Sequence, residues 1–130
     1  MKKTKILIPL DISEMSMTFI NWIKKYFDKN DIEITLMNVS ERIVADDSGD
    51  LEKEINIVLD EASMELEEYV VEKFFAAGYI PDEILKKAEE GNYDIIIMTQ
   101  STKKGLARMI GSVTSKVLKN AKISVIVLPQ

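Results

Sequence analysis

The residues best suited to chemistry lie in one stretch, "MTQSTKKGLARMIGSVTSK", from Met98 to Lys116. It ends in "GSVT", where Gly111 and Ser112 open a predicted helix. The unpaired N–H groups and the dipole of a helix start attract an anion. Gly111 allows close approach, and the hydroxyls of Ser112 and Thr114 can donate to phosphate oxygens. The pattern therefore predicts a phosphate site, although Gly followed by Ser is also an ordinary way to begin a helix.

Two residue types are missing from the chain, and their absence excludes several kinds of catalysis. The sequence contains no cysteine and no histidine. A Ser-His-Asp triad, a thiol nucleophile and a metal site built on histidine or cysteine are therefore excluded. We accordingly expect no catalytic residues and no metal site.

Charge is distributed unevenly along the chain. Residues 41–90 carry five Lys or Arg and sixteen Asp or Glu, net −11, whereas residues 91–130 carry six and one, net +5. The basic final third suits an anionic ligand, while the acidic middle argues against nucleic acid and anionic membranes as partners.

The start of the chain bears on localisation. An apolar run follows the first lysines, but Pro9 and Asp11 break it, and no small-residue cleavage site follows. No apolar run approaches the roughly 20 residues that span a bilayer. We therefore expect a cytoplasmic protein with no membrane partner.

Short apolar runs alternate with segments of helical periodicity. The runs are "KILIPL", Ile32–Val39, "YDIIIM" and "KISVIVLP", and helices are predicted between them. Strands that are apolar on both faces indicate a mainly parallel sheet covered by helices on both sides. The sequence thus predicts an α/β protein with a doubly wound sheet, and its 130 residues favour a single domain, 1–130.

The segment after Asp50 predicts a long helix. Its apolar residues recur at helical spacing through "YVVEKFF", and no helix breaker precedes Gly78. This stripe comprises Ile55, Leu59, Ala62, Leu66, Tyr69 or Val70, and Phe74. A helix of that length leaves the third strand of the sheet absent or reduced. The alternative is that "YVVEKFF" itself forms that strand.

In an open doubly wound sheet, ligands bind at the carboxyl ends of the strands where the strand order reverses. If the first strand lies beside "DIIIM", the loop "PLDIS" faces the stretch described first. Asp11 would then approach the crevice from one side, and the N–H groups of Gly111 and Ser112 from the other. In isolation, Asp11 could equally be a turn residue that accepts backbone hydrogen bonds.

Several segments together resemble the universal stress protein family: "ILIPLDISEMS", "LMNVSE", "GYIPDEILKKA", "YDIIIMT" and "GSVTSKVLKNAKISVIVLP". The resemblance covers nearly the whole chain except the loop Arg42–Gly49. It implies a flavodoxin-like sheet of strand order 3-2-1-4-5. It also implies a homodimer formed through the C-terminal strand, which carries no charge after Lys122.

The resemblance also implies a ligand, because one branch of the family binds ATP through a Gly-x2-Gly-x9-Gly-Ser/Thr loop. By that resemblance Asp11 touches the ribose and Val39 lies against the adenine. The phosphates are held by the start of the last helix, namely Gly111, Ser112, Val113 and Thr114.

This chain departs from the first half of that loop. Thr99 and Thr102 stand at the first two glycine positions, and eight residues, 103–110, separate Thr102 from Gly111. Threonine is β-branched and resists the positive φ that glycine adopts easily. A second branch of the family lacks these glycines and is not expected to bind ATP.

We therefore expect a binding or regulatory module of the stress response, not an enzyme, that does not bind ATP tightly. No cofactor is assigned, and phosphate or a nucleotide such as ATP stays open as the ligand. One alternative is an ATP-binding member of the family with slow or no hydrolysis. Another is a receiver-like signalling domain, which needs a phosphorylatable Asp after the third strand, and no such Asp is found.

Overall fold

The computed structural model describes residues 2–11, 18–41, 50–99 and 111–128. Strands and helices alternate along these ranges. The elements are β1 (Thr4–Pro9), α1 (Thr18–Tyr26), β2 (Ile32–Ser40), α2 (Asp50–Glu65), β3 (Val70–Ala77), α3 (Ile80–Glu90), β4 (Ile95–Thr99), α4 (Ser112–Asn120) and β5 (Ser124–Leu128).

The strands form one parallel sheet in the order β3-β2-β1-β4-β5. β1 is central, and its Ile6 lies opposite Ile34 of β2 on one side and Ile95 of β4 on the other. The predicted strand order 3-2-1-4-5 is confirmed. The order reverses between β1 and β4, so a ligand crevice is expected outside their carboxyl ends.

The sheet separates two apolar layers, because successive side chains of a strand point to opposite faces. The first core cluster combines Ile6 and Ile8 of β1 with buried residues of α1 and α2. The second core cluster combines Leu7 of β1 with buried residues of α3 and α4. Burial on both faces explains why the strand sequences are almost continuously apolar.

The predicted long helix after Asp50 is wrong. α2 ends at Glu65, a turn follows, and residues 70–77 form the edge strand β3. The third strand is therefore present, with eight residues paired in parallel to β2. Leu66 explains the apparent continuation of the helix, since it lies fully buried one residue beyond α2 and its amide still bonds to Ala62 O at 3.2 Å.

The apolar residues of β3 serve both faces of the sheet. Val71 packs against the first core cluster, whereas Phe74 and Ala76 pack against the second. In a helix Val71 and Phe74, which are three residues apart, would share one face, so their spacing alone does not separate a helix from a strand. Pairing with β2, which is distant in sequence, decides the outcome.

One smaller expectation also fails. From the sequence, the apolar residues Val113, Val117 and Leu118 of the last predicted helix, Ser112–Lys119, are all expected to face inward. In the structure Val117 is fully buried and Val113 packs against the second core cluster, but Leu118 is 41% exposed. Leu118 follows Val117 directly, and a helix turns about 100° per residue, so the side chain of Leu118 points in a different direction from that of Val117.

Candidate functional site

The carboxyl edge of the sheet holds the strand residues that were predicted to bind a ligand. Asp11 follows β1, Val39 is the penultimate residue of β2, and Thr99 ends β4. Because the strands are parallel, all three lie at the same edge. Asp11 is exposed, whereas Val39 and Thr99 are half-buried. Thr102 lies outside the described residues.

α4 directs its first turn towards this edge, because it leads from the carboxyl end of β4 back to the start of β5. Gly111 is its N-cap, with extended backbone angles (φ −66°, ψ 164°), and no side chain caps the helix. The first turn contains no acidic residue. The N–H groups at a helix start have no partner within the helix, so this end favours an anion.

Gly111 is exposed, and no described residue crowds it. A Cβ placed there would meet nothing within 4 Å among the described residues. Its φ of −66° is one that any residue adopts, so neither conformation nor packing requires glycine here. The backbone is instead accessible to an approaching group, which fits the predicted role of Gly111 at a phosphate.

The residues around the α4 start differ in accessibility. Val39 and Val113 both pack against the second core cluster, so they lie on the same face of the sheet. Thr114 is 7% exposed, whereas Ser112 is exposed. Of the two hydroxyls predicted to meet phosphate, that of Ser112 is therefore the more accessible.

Sequence reasoning gave no role to Asn38, which the structure places at the same edge. Its side chain is 7% exposed, and Nδ2 donates a hydrogen bond to the carbonyl of Leu10 at 3.0 Å. Leu10 directly precedes Asp11. The indication available in the sequence was a single amide side chain within the apolar strand "ITLMNV".

The lysine of the second turn of α4 is already engaged. The Lys116 ammonium donates a hydrogen bond to the Tyr79 hydroxyl and lies 4.6 Å from the centre of its ring. This hydrogen bond raises the pKa of Lys116, and the charge of Asp82 adds to the effect. The described part of α4 can therefore bind an anion through the N–H groups of its first turn, whereas the Lys116 ammonium is hydrogen-bonded to Tyr79.

A cavity of about 450 Å³ lies at the opposite, amino edge of the sheet. Tyr93 and Ile96 line it together with Ala88, near the end of α3, and Asn120, at the end of α4. Helix C-termini carry the negative ends of the helix dipoles. The lining also carries side chains of both charges, namely Lys2, Lys122, Glu89 and Asp94. The cavity does not contain the residues predicted to bind a ligand.

Two further properties bear on the alternatives. Among the described residues, no group of three or more Asp or Glu side chains is arranged to hold a metal ion. β3 is followed by Gly78 and Tyr79, not by an aspartate. A receiver-like domain, which needs an aspartate at that position, is therefore not supported.

No helix in the described part of the chain is both long enough and apolar enough to cross a membrane.

The sheet order, the reversal beside β1 and the helix start at the carboxyl edge define a flavodoxin-like, doubly wound α/β protein. The family model described as "Universal stress protein family" matches residues 3–129. The chain belongs to the universal stress protein family. No curated protein matches it significantly.

Solved structures of similar fold include proteins with nucleotide ligands. Hypothetical protein MJ0577, the subject of a structure-based assignment of biochemical function, is 28% identical with a TM-score of 0.82, covering 98% of this chain and 96% of that one. A universal stress protein from Archaeoglobus fulgidus in complex with dAMP is 18% identical, with a TM-score of 0.70 and 98% of each chain covered. A family protein from Arabidopsis thaliana with AMP bound is 19% identical, with a TM-score of 0.70, covering 98% and 92%.

Proposed function

We propose that this chain, as a single domain of residues 1–130, is a cytoplasmic regulatory module of the stress response. It binds an adenine nucleotide at the carboxyl edge of its sheet, and it does not bind ATP tightly. The proposal assigns the protein a binding role and no catalytic residues.

The observation that carries the proposal is the uncapped start of α4 beside an open Gly111. It faces the edge where Asp11 and Val39 lie, next to the point where the strand order reverses. Structures of two relatives carry dAMP and AMP. Asp11 would hold the ribose, Val39 would contact the base, and the N–H groups of Gly111–Val113 would bind a phosphate.

The argument against tight ATP binding comes from the loop before α4. Thr99 ends β4 in strand conformation, so this glycine position of the ATP-binding pattern is part of the sheet. Thr102 takes the second glycine position, and the loop to Gly111 is one residue short of the pattern. A triphosphate needs more backbone donors than one helix start supplies, and β-branched residues adopt positive φ at a cost.

An ATP-binding member of the family with slow or no hydrolysis is the second candidate. The retained "GSVT" favours it, because the part of the pattern at the start of α4 is intact. Magnesium-dependent affinity for ATP separates the two candidates.

Isothermal titration of the purified chain with AMP, ATP and ATP with magnesium tests the proposal. We expect saturable binding of AMP that Asp11→Ala weakens, and no micromolar affinity for ATP. Asp31→Ala is the matched control, because Asp31 is an exposed aspartate that precedes β2 at the amino edge. Tight, magnesium-dependent ATP binding would establish the second candidate, and a complete lack of adenine nucleotide binding would refute both.

A further inference from the structure

We infer that Asn38 is a positioning residue, whose buried side-chain amide fixes the backbone that presents Asp11 at the carboxyl edge. The inference rests on the proposed function, since it gives Asn38 a part in the nucleotide site. It concerns a side chain that touches the backbone before Asp11 and not the ligand.

The hydrogen bonds at the end of β1 carry the inference. The ladder between β1 and β2 ends with Pro9 opposite Met37. Beyond the ladder, Leu10 N–H donates to the carbonyl of Met37 at 2.8 Å, and Asn38 Nδ2 donates to the carbonyl of Leu10 at 3.0 Å. Both polar backbone groups of Leu10 are thus bonded to β2, one by the main chain and one by Asn38. Because Leu10 directly precedes Asp11, these two hydrogen bonds fix the backbone from which Asp11 extends.

Packing alone does not explain why an asparagine occupies this position of β2. Ile32, Ile34 and Leu36 alternate on one face of β2, and all three belong to the first core cluster. Asn38 is the next residue on that face, where an apolar side chain would extend the cluster. A buried amide is costly unless it is hydrogen-bonded, and here Asn38 Nδ2 donates to the carbonyl of Leu10, directly before Asp11.

Asn38→Leu removes the hydrogen bond while keeping a side chain of similar size and shape. Asn38→Thr is a milder second variant, because threonine is well suited to a strand. Its side chain is too short to reach the carbonyl of Leu10 as Asn38 Nδ2 does. Asn120→Leu is the matched control, because Asn120 Nδ2 donates to the carbonyl of Lys116 at 2.9 Å on the exposed end of α4, away from this edge.

The first measurement needs no ligand. Amide hydrogen exchange of the free protein should accelerate at Leu10 and Asp11 in Asn38→Leu, with the centres of β1 and β2 unchanged. Asn120→Leu should leave the exchange at Leu10 and Asp11 as it is in the unmodified protein. Unchanged exchange at these two residues in both Asn38 variants would overturn the inference, even if nucleotide binding proves correct.

The second measurement is a double-mutant cycle with AMP as the probe. We expect Asn38→Leu to weaken AMP binding about tenfold in the unmodified chain and to have no further effect when Asp11 is already alanine. An equal loss in both backgrounds would mean that Asn38 acts on the fold and not through Asp11. If AMP does not bind the unmodified chain, the proposed function fails, and the exchange experiment alone decides the positioning of Asp11.

Discussion

Tyr93 shows how one buried hydroxyl connects the segment before β4 with β2. Its side chain is 5% exposed, and its hydroxyl hydrogen-bonds with that of Thr35 on β2 at 2.6 Å. The Lys5 ammonium lies 4.6 Å from the centre of its ring. Burial raises the pKa of Tyr93 above 10.0, an effect that the hydrogen bond to Thr35 partly offsets. The folded protein therefore favours the neutral phenol.

This environment predicts how stability depends on pH. A group whose folded pKa is raised contributes stability that is present below the unfolded pKa of 10.0 and is lost as pH rises through the folded pKa. Tyr93→Phe should cost about 1 kcal/mol near neutral pH, because Thr35 loses its partner. It should also reduce the loss of stability above pH 10.0. Urea unfolding at neutral pH and at about pH 11 measures both effects.

Tyr26→Phe is the control for that experiment, because Tyr26 is 58% exposed. It should change the free energy of unfolding little at either pH. Equal losses of stability at alkaline pH in Tyr93→Phe and the unmodified protein would contradict the assignment to Tyr93.

At the scale of elements, the turn from β3 into α3 depends on one glycine. Gly78 has φ +146°, and a Cβ there would meet Glu83 Oε1 at 2.7 Å. Its amide bonds to the carbonyl of Ser40 at 2.9 Å, so the turn is also held to the end of β2. Gly78 therefore ends the edge strand. The sequence pattern had instead predicted that it ends a helix.

Gly78 and Gly111 form a matched pair for alanine substitution. Gly78→Ala should lower the free energy of unfolding by about 1–3 kcal/mol, because L side chains rarely adopt its φ and the neighbouring Glu83 must move. Gly111→Ala should leave stability nearly unchanged, since its φ is ordinary and no described residue lies within 4 Å of the added Cβ. Chemical denaturation compares the two variants directly.

The same pair also separates folding from binding. Because the open space at Gly111 is where a phosphate would approach, Gly111→Ala should weaken AMP binding without unfolding the protein. Gly78→Ala should affect binding only as far as it affects folding. Full AMP affinity in Gly111→Ala would count against a phosphate at this helix start.

At the scale of the whole molecule, the two edges of the sheet differ in composition. β3 forms one edge and includes Glu72 and Lys73, charges that discourage pairing with another chain. β5 forms the other edge and has the uncharged sequence "SVIVL". This difference favours β5 as the contact in the homodimer, which stays a proposal.

Lysine substitution at Val125 and Val127 tests the dimer. Two copies of β5 related by a two-fold axis would satisfy each other's edge N–H and C=O groups. We expect the unmodified protein to sediment as a dimer at micromolar concentration and the double variant to sediment as a folded monomer. Circular dichroism verifies the fold, because Val125 and Val127 also pack against the second core cluster.

The control for the dimer experiment lies on the opposite edge. Val70 is 48% exposed on β3, so Val70→Lys should leave both the fold and the dimer intact. A monomeric unmodified protein at micromolar concentration would show that β5 does not mediate self-association.

Local sequence patterns were sufficient to predict the layered architecture and the elements with strong periodicity or clear ends. β1, β2, β4 and β5 are short apolar runs, and α3 lies between Pro81, in its first turn, and Gly91 at its C-cap. Strands that are apolar on both faces are buried in a parallel sheet whichever strands they pair with. The residues at a helix end determine where the helix begins and ends, so local sequence is enough to predict these elements. The start of α4 at Gly111 is predictable for the same reason.

Contacts between distant segments, and not local patterns, explain why "YVVEKFF" forms a strand and how Asn38 contributes to the carboxyl edge. β3 exists because eight of its residues pair with β2, a contact between distant segments that outweighs the helical spacing of Leu66 and Phe74. Asn38 matters because β1 ends beside it, which brings its amide within 3.0 Å of Leu10 O across 28 positions of sequence. Such contacts depend on which strands lie side by side in the sheet. The local sequence of a segment does not specify which segment will pair with it.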